Sequence, residues 1–209
     1  MLCYLFSLPD FFHIEIRDSV SILRMMSADG TNRLSRACVL ALTEAVRGLA
    51  SQSPPRPLII TGNERFFSAG AELQEIVALG SDAFAFARMG QALMQRVDDF
   101  PAPVCAAVRG YCMGGGLDLA LACDWRIAAP HAEFAHRGSA LGLITGWGGT
   151  QRLPRLVGRA KALQMFVAAE KLRPPQALAA GLVDAVVDDP VEEALRRLRA
   201  SPSGTSLIA

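Results

Sequence analysis

The stretch that most limits the possible folds runs from Val104 to Asp124. Val104–Val108 is an unbroken apolar pentapeptide, which predicts a strand buried on both faces. Gly114, Gly115 and Gly116 follow it and lead into Leu117-Asp-Leu-Ala-Leu-Ala-Cys123, an apolar segment that reads as a helix. A glycine turn opening a helix leaves main-chain N–H groups without intrahelical partners, and the helix dipole adds partial positive charge there. Without Cβ atoms, a ligand can come within hydrogen-bonding distance of that backbone. Such a turn suits an oxygen that carries or develops negative charge. Three glycines alone describe a plain tight turn equally well.

A second stretch repeats the design. In Arg65-Phe-Phe-Ser-Ala-Gly-Ala-Glu-Leu73, small residues (Ser68 to Ala71) stand between a strand signal and a helix signal. Around these two stretches, strands and helices alternate. Phe12–Arg17 and Val20–Met25 read as a hairpin turning at Asp18-Ser19. Ser35 is placed to cap a helix running to Ala50, with Val39, Leu42, Val46 and Leu49 on its apolar face. Leu58–Thr61 and Trp125–Ala129 predict strands, and Asp82–Phe100 predicts a helix. The segment from Ala129 to Gly149 reads as loop. Helices are expected over Arg159–Glu170 and Pro175–Ala180, then a strand over Leu182–Val187 and a helix over Val191–Arg199. Alternation of this kind defines the α/β class.

With 209 residues and 51% hydrophobic content, the chain is long enough for one domain with a substantial core. The net charge of +1, with both signs interspersed, points to neither a nucleic-acid nor a membrane partner. Met1–Phe12 is apolar but has no basic n-region or small-residue cleavage site, so no secretion signal is expected. The five cysteines show no CxxC spacing; Cys38, Cys105 and Cys123 sit among apolar neighbours and read as core residues, and the expected setting is a reducing cytoplasm. No His, Cys or Asp set has metal-ligand spacing.

Four segments together resemble the crotonase (enoyl-CoA hydratase/isomerase) superfamily. They are Phe67-Ser-Ala-Gly-Ala-Glu-Leu73, Gly110-Tyr-Cys-Met-Gly-Gly-Gly-Leu-Asp-Leu-Ala120, Gly142-Leu-Ile-Thr-Gly-Trp-Gly-Gly-Thr-Gln-Arg-Leu-Pro154 and Ala180-Gly-Leu-Val183. The resemblance implies a ClpP/crotonase-like spiral of βαβ units over residues 19–190. Residues 1–18 would then be an N-terminal extension and first strand, and 191–209 a short last helix with a frayed tail. The helical part that usually follows in the family is expected to be truncated. A homotrimer or a dimer of trimers is the expected assembly.

The resemblance also implies roles. The amides of Ala71 and Gly115 would form an oxyanion hole for the carbonyl of an acyl-CoA thioester, with CoA entering as part of the substrate and no separate cofactor. Ala69 and Leu73 correspond to the family's adenine pocket, and Arg24 to a basic position near the CoA phosphates. Gly70, Met113, Gly114 and Gly138 complete the expected binding set. Asp118 lies one helical turn beyond Gly115, roughly 5–6 Å away between Cβ positions, and is the candidate acid/base. A local cap or ion pair is the plainer role for that residue, but an Asp among Leu117, Leu119 and Leu121 is an expensive burial without a task.

Hydratases of the family place a second Glu where this chain has Gly138, and no Asp or Glu occurs between Phe134 and Gly149. Water addition needs two proton-handling groups, whereas double-bond isomerisation needs one. The expectation is therefore isomerase-type chemistry at a single carboxylate. The alternatives are an acyl-CoA decarboxylase, with His136-Arg137 near a substrate carboxylate, or a catalytically silent CoA-binding or assembly subunit. His136 itself reads as a surface-loop residue, Trp147 as a packing aromatic, and His13 and His131 as structural.

Overall fold

The computed structural model describes residues 11–75 and 83–200. Strands β1 (Phe12–Arg17) and β2 (Val20–Met25) form an antiparallel hairpin with Phe12 opposite Met25 and Arg17 opposite Val20. Its turn residues Asp18 and Ser19 have φ of 52° and 65°, the two-residue geometry whose twist matches paired strands. After β3 (Arg33–Leu34), helix α1 spans Arg36–Ala50. Ser35 caps it, its Oγ accepting from the Cys38 amide at 3.1 Å, and Val39, Leu42, Val46 and Leu49 form its buried face as the spacing predicts.

The chain continues through β4 (Leu58–Thr61), β5 (Phe66–Ser68), β6 (Gly70–Ala71) and α2 (Ala83–Asp98). Next come β7 (Val104–Val108), β8 (Tyr111–Met113), α3 (Gly115–Leu121), β9 (Trp125–Ala128) and β10 (Glu133–Ala135). Helices α4 (Gly149–Val157), α5 (Arg159–Val167) and α6 (Pro174–Ala179) precede β11 (Ala185–Val186) and α7 (Pro190–Ala200).

The main sheet has the order β1-β2-β4-β7-β9-β11 and is parallel beyond the hairpin. Strands β4, β7 and β9 are each followed by a three-residue strand, β5, β8 and β10, and these pair in parallel as a second sheet in the same order. Each turn of the chain thus lays one strand in each sheet, giving the spiral of α/β units. The main sheet is covered on both faces, which explains its continuous apolar strands. Leu58, Ile60, Val104, Ala106 and Val108 join the large core with α1, α2 and α3. The alternate residues Ile59, Cys105, Ala107 and Ile127 pack under Val191, Ala194, Leu195 and Leu198 of α7.

Several local expectations change. The stretch read as loop between Ala129 and Gly149 contains β10 and a single 3₁₀ turn at Gly138–Leu141. Helix α4, with Pro154 inside it, was hidden by the Gly148-Gly149 start and that proline. The last strand shrinks from Leu182–Val187 to two residues. Residues 1–10 of the N-terminal extension, Asp82 at the expected start of α2, and the tail from 201 lie outside the described residues. Among the described residues, no helix is long and apolar enough to cross a membrane.

Candidate active site

The two small-residue turns meet, and the glycines determine how closely. Gly114 sits at φ 52°, ψ −119°, a conformation closed to residues with a Cβ, and redirects the chain from β8 into α3. Gly70, at φ 96°, lies so close to the other turn that a Cβ there would stand 2.7 Å from the Met113 oxygen and 3.2 Å from the Gly115 nitrogen. A Cβ on Gly115 would in turn lie 3.3 Å from the Ala71 nitrogen and 2.5 Å from Cζ3 of Trp147. On Gly116 it would collide with Ser68.

Ser68 locks the first turn. Its hydroxyl donates to the Asn32 carbonyl at 2.7 Å and accepts from the Gly70 amide at 3.1 Å. The Asn32 amide group donates to the carbonyls of Phe66 and Phe67. Ser68 and Asn32 are both buried, so these hydrogen bonds hold the turn inside the core, although Asn32 Oδ1 has no partner among the described residues.

A cavity of about 270 Å³ opens over this junction. Ala69, Gly70, Ala71, Leu73, Met113, Gly114, Gly115, Asp118 and Gly138 all line it. Arg24 does not: it stands on β2 and donates to the Gly62 carbonyl at 3.0 Å. Trp147 also lines the cavity and is buried edge-on against Phe86, 5.3 Å between ring centroids, so it is a packing aromatic and a wall of the site at once.

Asp118 is 1% exposed. Burial pushes its carboxyl up to about 7; the Thr145 hydroxyl, the Arg152 charge and the Gly149 amide oppose that rise without cancelling it. Thr145 donates its hydroxyl to Asp118 Oδ2. The other oxygen, Oδ1, faces His136 Nε2 at 3.4 Å, and neither atom has a hydrogen-bond partner. Burial lowers His136 to about 4, so near neutral pH the imidazole is uncharged and the pair is not an ion pair between opposite charges.

His136 is therefore not the surface-loop residue that its neighbours Arg137 and Gly138 suggest. It is 3% exposed, because β10 pairs with β8 and carries the following residue inward, where the ring packs on Phe166 at 5.0 Å. Sequence reasoning also passed over Thr145 and Gly149 as site residues. Gly149 carried a signal within the Gly142–Pro154 segment: a Cβ there would lie 2.1 Å from Asp118 Oδ1 and 2.9 Å from His136 Nε2.

A spiral in which two tight turns and a buried carboxylate converge on one cavity is the crotonase fold. Comparison with known proteins agrees. The family model described as enoyl-CoA hydratase/isomerase matches residues 15–201, and the chain belongs to that family. It is 42% identical over 163 residues to the "Probable enoyl-CoA hydratase" of Bacillus subtilis, covering 77% of this chain and 63% of that protein. It is 36% identical to the crotonyl-CoA hydratase of Syntrophomonas wolfei, covering 83% and 68% respectively. The chain thus spans about two thirds of the length of these curated relatives. The crystal structure of an enoyl-CoA hydratase from Bacillus anthracis superposes with a TM-score of 0.86 at 31% identity, over 91% of this chain and 76% of that one.

Proposed function

We propose that this chain forms and quenches the enolate of an acyl-CoA thioester. The main-chain amides of Ala71 and Gly115 bind the thioester oxygen, and Asp118 carries the proton. Double-bond isomerisation of a 3-enoyl-CoA is the reaction that a single carboxylate serves best. Ionised Asp118 removes a proton from C2, and the C–H electron pair moves into the conjugated system and onto the thioester oxygen as a dienolate. Amide donors aimed at that oxygen bind it more strongly as charge grows, which is worth roughly 3 kcal/mol per donor. Asp118 then returns the proton at C4. A carboxyl raised to about 7 is a stronger base than an ordinary one, and near neutral pH both its ionised and its protonated forms are populated, so the same group can take the proton and give it back. Ala69 and Leu73 are assigned to the adenine end of CoA and Arg24 to its phosphates, and the working assembly is a homotrimer or hexamer.

The observation that supports this most directly is the position of Asp118: buried, on the cavity wall, one turn along α3 from the glycine that abuts Ala71. Hydration is the second reading, favoured by the names of the relatives in Bacillus and Syntrophomonas. Two absorbance assays separate the readings, since a 3-enoyl-CoA gains the conjugated-thioester band on isomerisation and crotonyl-CoA loses it on hydration. Asp118→Asn should abolish isomerisation while CoA binding, followed by calorimetry, persists. Full activity in that variant rules out Asp118 as the proton carrier. CoA binding without turnover of either substrate by the unaltered chain would identify a silent binding subunit.

A further inference from the structure

Among the described residues, the lining of the cavity holds, besides Asp118, two titratable side chains, His136 and Arg137. His136 is the one in reach of the carboxylate. Its Nε2 and Asp118 Oδ1 are two polar atoms, both inaccessible to solvent, 3.4 Å apart and each without another partner. Two orphaned buried atoms facing one another are expensive unless one hydrogen serves both. An uncharged imidazole presents one N–H and one bare nitrogen. A bare Nε2 would set its lone pair against a carboxylate lone pair, whereas an Nε2–H would donate to it.

We infer that His136 is a positioning residue for Asp118: Nε2–H donates to Oδ1, fixes the plane of the carboxylate together with Thr145 on Oδ2, and favours its ionised, proton-accepting form. This rests on the reading of Asp118 as the proton carrier, and it holds for any reaction that begins with an enolate. The separation of 3.4 Å is long for such a bond, and hydrogen bonds in unliganded sites commonly tighten when substrate fills the cavity. Gly149 makes the arrangement possible, since any side chain there would occupy the gap between the two atoms.

Every group facing Asp118 among the described residues enters the balance. Thr145 and the Gly149 amide are neutral donors, and Arg152 on α4 supplies a positive charge. The Cys112 thiol on β8 stays protonated, raised by burial and by Asp118 itself. Against His136 the packing partner is the uncharged ring of Phe166 on α5. A donor on Oδ1 stabilises the carboxylate more than the carboxylic acid, so removing it raises the pH at which Asp118 becomes a base.

Exchange of the α-protons of butyryl-CoA in D₂O reads enolate formation without committing to a later step. Its rate in the full chain should rise with pH as Asp118 ionises. In His136→Phe, which keeps a ring but no donor, the midpoint should move up by about one pH unit or more, a tenfold change in the ionisation constant. In His136→Gln, whose amide can reach the same oxygen, the midpoint should return towards the original. A slower His136→Phe with an unmoved midpoint means that the ring merely fills space, and the inference is wrong while Asp118 remains the base. Exchange surviving in Asp118→Asn would instead remove the reading on which the inference rests. ¹⁵N spectra of the histidines of the unsubstituted chain decide independently of how the variants fold. At pH 8 the His136 proton should sit on Nε2, and a bare Nε2 there overturns the assignment.

Discussion

Asp118→Asn should alter the pH dependence of stability as sharply as it alters catalysis. The ordinary value of the Asp118 carboxyl is 3.8 and the folded value about 7, a difference of about three pH units. At roughly 1.4 kcal/mol per unit, this is a handicap of about 4 kcal/mol for the folded chain once the carboxylate is charged. The folded state holds this proton more tightly than the unfolded chain does. The favourable contribution is therefore complete below pH 3.8 and is lost as pH rises through about 7. His136 runs the other way: its folded value of about 4 lies below the ordinary 6.5, so its contribution is present above pH 6.5 and lost as pH falls towards 4. Over nearly the same window the two slopes oppose each other, and the unsubstituted chain should show little net dependence from this pair. In Asp118→Asn the histidine acts alone, and stability should climb by about 3 kcal/mol between pH 4 and 6.5. The stability difference between variant and parent should grow by about 4 kcal/mol from pH 4 to pH 8 in the variant's favour. Urea titrations at fixed pH steps measure this directly, provided the slopes on denaturant match. The depressed carboxyls at Asp29, Asp189 and Glu193 are common to both chains and cancel in the difference. A difference that is the same at pH 4 and pH 8 would refute the claim that Asp118 is buried at the expense of its charge.

Gly115→Ala places a methyl 3.3 Å from the Ala71 nitrogen and 2.5 Å from the Trp147 ring, closing the gap that a thioester oxygen must enter. Turnover should fall about 10²-fold or more while calorimetry still detects CoA binding. Ser35→Ala removes the cap of α1 without altering a side chain of the cavity lining, and should cost about 1 kcal/mol in urea denaturation with turnover largely kept.

The parts of the fold that were legible in the sequence are those whose burial is written into a single segment. Val104–Val108 is apolar throughout because α7 covers one face of its sheet and the large core the other. The face of α1 is set by 3.6-residue spacing and its start by Ser35. The second sheet left no such mark. Strands β5, β8 and β10 have three residues each, too short to display a period of two, and they exist because consecutive turns of the spiral stack them. Helix α4 begins with a glycine and contains Pro154, so local propensity argues against a helix that tertiary packing of Leu153 nevertheless secures.

The same blindness divided the site. Asp118 could be singled out because an acid inside an apolar helical run demands a reason for its burial, and the structure buries it. His136 offered no such contrast, standing before Arg137 and Gly138 in what reads as polar loop. Its depth depends on β10 pairing with β8, so missing a three-residue strand meant missing the imidazole at its end. With no acid at Gly138, nothing in the sequence signalled that a polar side chain two residues earlier, His136, faces the carboxylate at 3.4 Å. Beside the single carboxylate legible in the sequence, the fold thus sets an imidazole against Oδ1 and a hydroxyl on Oδ2, neighbours that a count of acids does not register.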